Sequence, residues 1–123
     1  MALIVCVEDE AGIRDLIAGE LTDAGHEVIE AADGNEALEV IMRYGPDLVV
    51  SDWLMPKMSG GELLKTLRRD HPQFADMPFV IVSAFIDKEY VEQSTGLGVD
   101  AYLTKPIDFD LLLETVNRLL SPN

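Results

Sequence analysis

The feature that most narrows what this chain can fold into is an alternation. Short apolar runs of strand length give way, again and again, to segments whose apolar residues recur at intervals of three and four. Ala2–Val7 is an unbroken apolar run. Ile13, Leu16, Ile17, Leu21 and Ala24 follow at helical spacing and stop at Gly25. Val28–Ala31 is short and β-branched. Asp33-Gly34-Asn35-Glu36 has the form of a capping box and opens a helix with Ala37, Leu38, Ile41 and Tyr44 on one face, ended by Gly45-Pro46. Asp47–Ser51 carries Leu48, Val49 and Val50.

The second half repeats the rhythm. Ser59-Gly60-Gly61-Glu62 is another capping box, ahead of Leu63, Leu64 and Leu67. Pro78–Ser83 is the fourth strand. Asp87 caps a weaker helix reaching about Thr95, with Tyr90 and Val91 as its apolar anchors. Ala101–Leu103 is the fifth strand. Asp108 caps a last helix bearing Phe109, Leu112, Leu113, Val116, Leu119 and Leu120. Five strands alternating with five helices predict βαβ units on a parallel sheet. Unbroken apolar strands mean that helices cover both faces. Right-handed crossovers then leave a doubly wound α/β sandwich, (βα)5 in three layers. With 123 residues the chain is read as one domain, 1–123, able to bury about two-thirds of its unfolded surface.

Charge excludes whole classes of partner. Nine Lys and Arg stand against 23 Asp and Glu, a net of −14. Direct nucleic-acid binding needs a basic footprint and is excluded, and an anionic membrane surface is disfavoured for the same reason. No apolar run approaches the roughly 18–20 residues of a membrane helix, and Glu8-Asp9-Glu10 follows the first run too soon for a signal peptide. Cys6, the only cysteine, lies inside an apolar run and reads as a buried, inert thiol, which suits a cytoplasmic location. His26 and His71 lack spaced companions and read as surface or loop residues. The acids are unevenly placed. Residues 1–52 hold 13 acids and two bases, a surplus of 11 negative charges.

In a doubly wound sheet, ligands sit at the carboxyl ends of the strands, near the switch in strand order. The first strand runs into Glu8-Asp9-Glu10, the third into Asp52, the fourth ends at Ser83, and the fifth runs into Thr104-Lys105-Pro106. Parallel strands bring these groups to one rim. Converging carboxylates repel, and a hard divalent cation such as Mg²⁺ resolves the repulsion. Acids, a hydroxyl and a lysine around such a cation make a site for handling phosphoryl groups, and an Asp can itself become an aspartyl phosphate.

These residues carry a family resemblance. Glu8-Asp9-Glu10, the run Asp47-Leu48-Val49-Val50-Ser51-Asp52 with Met55-Pro56 and Gly60 after it, Ser83-Ala84, and Tyr102-Leu103-Thr104-Lys105-Pro106 stand in the order and spacing of a response-regulator receiver domain. The chain resembles such a domain over nearly its whole length, as a single receiver like a chemotaxis regulator. The resemblance implies a flavodoxin-like sheet of order 2-1-3-4-5. It implies that Asp52 accepts a phosphoryl group from a phosphohistidine, with Lys105 and Ser83 engaging that group. It implies that Asp9, Asp52 and the backbone carbonyl of Leu54 hold Mg²⁺ or Mn²⁺, with Glu8 acting through water. Glu10 is the least tied to the site and suits the start of the first helix. Tyr102 matches the aromatic switch that turns inward on activation. The Lys105–Pro106 bond is cis in the family. The responsive surface is the one formed by the fourth predicted helix, the fifth strand and the fifth predicted helix, with that fourth helix as the mobile element.

Two departures bear on rate. Glu8 stands where Asp is more usual, and Leu54 and Phe85 are apolar at positions that flank the phosphoryl group, where they are expected to slow its hydrolysis. The implied partners are a sensor histidine kinase or histidine phosphotransfer protein upstream, and a target protein or C-terminal output domain downstream. The chain is expected to be a monomer or a phosphorylation-induced dimer. Met1 precedes the first strand directly, so any missing segment is expected beyond Asn123. Three other readings fit less well. A flavin carrier needs a phosphate loop where Glu8-Asp9-Glu10 would repel the phosphate. A Mg²⁺-dependent aspartyl-phosphate phosphohydrolase usually has a second Asp where Leu54 stands. A degenerate receiver serving only as a binding module would not need Glu8, Asp9, Asp52, Ser83 and Lys105 together.

Overall fold

The computed structural model describes residues 2–55, 57–84, 96 and 98–121. The predicted helix from Asp87 to Thr95, and with it Phe85 and Pro56, lies outside the described residues. The described elements run β1 (Leu3–Val7), α1 (Ala11–Asp23), β2 (Glu27–Ala31), α2 (Gly34–Tyr44), β3 (Leu48–Ser51), α3 (Gly60–Asp70), a 3-10 turn (Pro72–Phe74), β4 (Phe79–Ser83), β5 (Ala101–Thr104) and α4 (Phe109–Leu120). The five strands form one parallel sheet in the order β2-β1-β3-β4-β5, the flavodoxin-like order expected from the sequence.

Strand periodicity builds the three layers. Along β1, Val5 and Val7 join Ala37 and Ile41 of α2 and Leu63, Leu64 and Leu67 of α3 in one core cluster. Ile4 and Cys6, pointing the other way, join Ile17 and Leu21 of α1 and Leu112 and Val116 of α4 in a second. Each of β1, β3 and β4 therefore feeds two cores, which is why these strands are apolar at nearly every position. Cys6 is fully buried, and burial pushes its thiol up to about 12, so it packs as a small hydrophobe.

Helix starts follow the capping residues read from the sequence. Asp33 Oδ1 accepts from Glu36 N at 2.8 Å, Ser59 Oγ from Glu62 N at 3.1 Å, and Asp108 Oδ1 from Leu111 N at 3.1 Å. Gly45 closes α2 in the left-handed region at φ 57°.

Two expectations need correction. Leu16 is 58% exposed; the buried stripe of α1 is Ile17, Ala18 and Leu21. Leu16 lies on the flank of that stripe and lines a shallow apolar groove of about 260 Å³ with Ile13, Pro106, Ile107 and Phe109, open beside Lys105. Tyr44, at the last turn of α2, is exposed too, its ring under the Arg43 guanidinium at 5.7 Å. His26 is a loop residue as expected, half buried: its Nδ1 accepts the Ala2 N–H at 3.3 Å, and its Nε2 is enclosed without a partner among the described residues. His71 too is a loop residue as expected, half buried just after α3. The 3-10 turn at Pro72–Phe74, which buries Phe74, has no counterpart in the sequence reading.

The surface of α1 also carries a correctable weakness. Gly19 is exposed mid-helix, and a methyl there would meet nothing within 4 Å. Gly19→Ala is expected to stabilise the fold by about 0.5–1 kcal/mol through backbone entropy and helix propensity. A urea midpoint that falls or stays put would count against this.

Candidate functional site

The sheet order reverses between β1 and β3, so the crevice beyond their carboxyl ends is where a ligand fits. Parallel register aligns the strand ends there: Val7 faces Ser51, and Ser83 faces Thr104. The ladder continues one residue beyond each strand. Glu8 N donates to Ala31 O (3.0 Å), Asp52 N to Val7 O (3.0 Å), and Lys105 N to Ser83 O (2.9 Å). Three site residues are thus held by backbone bonds before their side chains are considered.

The side chains converge as the strand ends suggest. One carboxylate oxygen from each of Glu8, Asp9 and Asp52 lies within 4.8 Å of the others. Asp9 is exposed, whereas Glu8 is 2% and Asp52 8% exposed. Lys105 Nζ reaches across from β5 to Glu8 Oε1 at 2.5 Å and to Asp52 Oδ2 at 3.2 Å. Glu8 Oε2 accepts from Glu10 N at 3.2 Å. Glu10 occupies the N-cap position of α1, with no side-chain capping bond.

Electrostatics follow from this crowding. Burial pushes the Glu8 carboxyl up from its ordinary range and the Asp52 charge adds to it, while the Lys105 and Glu10 hydrogen bonds pull back. Burial pulls the Lys105 ammonium down, but the Glu8 hydrogen bond and the Asp52 and Glu8 charges outweigh it, and the net direction is up. Lys105 keeps its proton at neutral pH. Ser83 is buried at the end of β4, and the Tyr102 side chain hydrogen-bonds it. Burial raises the Tyr102 phenol, helped by Asp52 and opposed by the Ser83 bond. Tyr102 packs against the α2–α3 core cluster. Leu54, two residues past Asp52, is 51% exposed. The Lys105–Pro106 peptide bond is cis.

The donor set fits a hard divalent cation. Three carboxylates converge, one of them exposed, and the ammonium present reaches only the two buried ones. Oxygen ligands with an open, watery side suit Mg²⁺ or Mn²⁺.

Two supporting contacts, at Arg14 and at Gly60, escaped sequence reasoning. Arg14 Nη1 donates to the Glu8 carbonyl at 2.7 Å and its Nε lies 3.5 Å from Glu30, so α1 ties down the main chain at Glu8. Gly60 donates its N–H to Trp53 O at 2.7 Å, and a methyl at Gly60 would overlap the Asp52 carbonyl oxygen. The adjacent glycines at 60 and 61 were a signal of close approach, masked by the capping box they belong to.

Comparison with known proteins gives a consistent result. A family model described as the response regulator receiver domain matches residues 4–117. The phosphate regulon transcriptional regulatory protein PhoB of Pseudomonas aeruginosa is 40% identical over 103 residues, 84% of this chain and 44% of that protein. The response regulator RR06 of Streptococcus pneumoniae is 37% identical over 95% of this chain and 52% of its own length. The chemotaxis response regulator CheY4 of Vibrio cholerae superposes with a TM-score of 0.90 at 34% identity, covering 97% of this chain and 98% of that one. The chain spans about half the length, or less, of the curated relatives it matches first.

Proposed function

The chain belongs to the response regulator receiver domain family, whose work is phosphorylation-dependent signalling in two-component systems, and from that premise we propose that Asp52 is its phosphoacceptor. One observation carries the reading: the Asp52 carboxylate sits in the crevice at the switch point, between two further acids and the Lys105 ammonium. An oxygen of Asp52 attacks the phosphorus of a phosphohistidine. The P–N bond breaks, and the imidazole nitrogen leaves with the electron pair. Asp9, Asp52 and the Leu54 carbonyl would hold Mg²⁺ or Mn²⁺, with Glu8 expected to act through water. When bound, the cation neutralises charge on the phosphoryl oxygens. Lys105 and Ser83 take the remaining oxygens by charge-assisted hydrogen bonds. The protein is a stoichiometric acceptor rather than an enzyme, and the same groups promote loss of the phosphoryl group.

Ser83 links the site to the surface. The Tyr102 side chain already bonds Ser83, so a phosphoryl group that draws on Ser83 changes what Tyr102 holds. Near-complete switching needs roughly 5 kcal/mol of differential stabilisation. The responsive surface is the one around β5 and α4, together with the predicted helix that lies outside the described residues. None of the described helices is long and apolar enough to cross a membrane, and we read the protein as cytoplasmic. We read residues 1–123 as one receiver unit. The apolar groove beside Lys105 would give a protein donor, a sensor histidine kinase or phosphotransfer protein, a footing next to Asp52. Output passes to a target protein or a C-terminal domain, by the monomer or by a phosphorylation-induced dimer, without direct contact of this unit with nucleic acid.

The test is incubation with acetyl phosphate and Mg²⁺, followed by intact mass. One phosphoryl group is expected, and none when the cation is removed with EDTA; uptake that ignores EDTA would contradict the cation's role. The half-exposed Leu54 is expected to shield the phosphoryl group from water. Leu54→Asn should therefore shorten its lifetime several-fold, as a polar side chain can orient an attacking water. An equal or longer lifetime in the variant would end that idea.

A further inference from the structure

We propose that Lys57 is a positioning residue: its left-handed turn and its bridge to Asp33 strap the loop after Asp52 to the start of α2, and so set the place of the Leu54 carbonyl. This rests on the reading of that carbonyl as a ligand of the cation, and adds what holds it.

Lys57 has a φ of 71°, the one positive value outside glycine among the described residues. For an L side chain this region is a standing cost, which a glycine at the same place does not carry. The contacts of Lys57 do little to offset it. Its Nζ lies 3.8 Å from Asp33 Oδ2, the lysine side chain is 67% exposed, and an exposed ion pair adds little stability. Strain kept without a matching gain in stability points to function.

The course of the bridge shows which function. Asp33 follows β2 and Lys57 follows β3, and β1 lies between those strands, so the bridge crosses the end of β1. One carboxylate serves two elements: Asp33 Oδ1 caps α2 through Glu36 N at 2.8 Å, while Oδ2 faces Lys57. Beside the bridge the main chain of Gly34 lies against Met58, where a methyl would overlap the Met58 Cβ, Cγ and carbonyl oxygen. The outer arm of the loop therefore leans on α2. Its base is closed by the Gly60 N–H on Trp53 O. Leu54 lies between these two fixed points, so the direction of its carbonyl depends on both.

A purely electrostatic role for Lys57 has the opposite sign, since removing a positive charge from the rim should tighten Mg²⁺ binding. Calorimetric Mg²⁺ titration of the full chain in about 0.15 M salt, which screens distant surface charges, reads that sign. Melting without cation is the second readout. Lys57→Gly should melt about 3–5 °C higher, because the strain is gone. It should nonetheless bind Mg²⁺ roughly 3–10-fold more weakly, because the loop is no longer held. Lys57→Arg keeps the charge and the reach and should bind as the wild type does. Asp33→Asn keeps the cap of α2 without the charge. It and Lys57→Gln should each weaken binding, and the double variant should lose much less than the sum of the two. Binding by Lys57→Gly as tight as that of the wild type, or tighter, would overturn the proposal. So would a lower melting temperature of that variant, which would make the bridge structural, or fully additive losses in the pair. If Mg²⁺ leaves the wild-type Leu54 carbonyl carbon-13 signal unmoved, the ligand reading beneath the proposal fails instead.

Discussion

Asp52→Asn is expected to abolish phosphoryl uptake while leaving the fold at least as stable as the wild type. The two halves of this result have separate causes. An amide has no anionic oxygen to attack phosphorus, and deleting a covalent nucleophile removes the reaction path rather than slowing it; losses of about 10⁴-fold or more are usual. Stability moves the other way because of charge. Glu8, Asp9 and Asp52 bring carboxylate oxygens within 4.8 Å of one another, and like charges at that range repel. Asn has nearly the same shape, so packing around a residue only 8% exposed is kept. Lys105 still has Glu8 as counterion, so no buried ammonium is orphaned. A gain of about 0–2 kcal/mol is expected, the usual sign when a strained functional group is neutralised. Intact mass after acetyl phosphate treatment reads the first half and thermal unfolding without cation the second. Residual labelling of the variant would remove Asp52 from its role. A marked fall in its melting temperature would mean that the carboxylate is structural as well.

What could be read in the sequence follows from how local the physics is. The caps at Asp33, Ser59 and Asp108 each depend on a hydrogen bond three residues away, so the pattern is complete within the segment. Strands β1, β3 and β4 were legible because each feeds two cores and is apolar at nearly every position. The crevice was legible because parallel strands must end on the same side. What failed needed neighbours that are distant in sequence. Helical periodicity finds an apolar stripe but not its width, and whether Leu16 or Ala18 is covered depends on where α4 and the chain after Lys105 pack. His26 was rightly read as a surface or loop residue, but its half-burial, which that reading left open, depends on Ala2, just ahead of β1, meeting the turn before β2. Lys105 does reach Asp52, as the resemblance implies, and only its second and shorter contact, to Glu8, went unforeseen. The charge surplus of residues 1–52 divides in the same way. Glu8, Asp9 and Asp52 belong to the site, whereas Asp15, Glu36 and Glu39 are exposed or half-exposed helix residues.

Gly60→Ala is expected to be the costliest single-methyl change near the site. Gly60 is the first residue of α3, and its N–H donates to Trp53 O, which folds the chain after β3 back on itself. A Cβ there has no free direction. It would overlap the Asp52 carbonyl oxygen and come within 3.1 Å of Ile81 Cδ1. The obstructing atom is backbone, so no rotamer change relieves it. Either the Asp52 peptide shifts or the start of α3 withdraws and gives up its bond to Trp53. Overpacking plus a lost hydrogen bond costs about 2–4 kcal/mol. For a chain of this size that is a drop of roughly 10 °C in melting temperature. Gly19→Ala supplies the control, since the same chemical change in open space should raise stability. Because the displaced atom belongs to the peptide of Asp52 itself, Gly60→Ala should also slow phosphorylation at temperatures where it remains folded if Asp52 is the acceptor we propose. If it unfolds at the wild-type temperature and takes up phosphoryl groups at the wild-type rate, then the contact between α3 and Asp52 is looser than the structure indicates, and the idea that the helix start holds the acceptor in place is wrong.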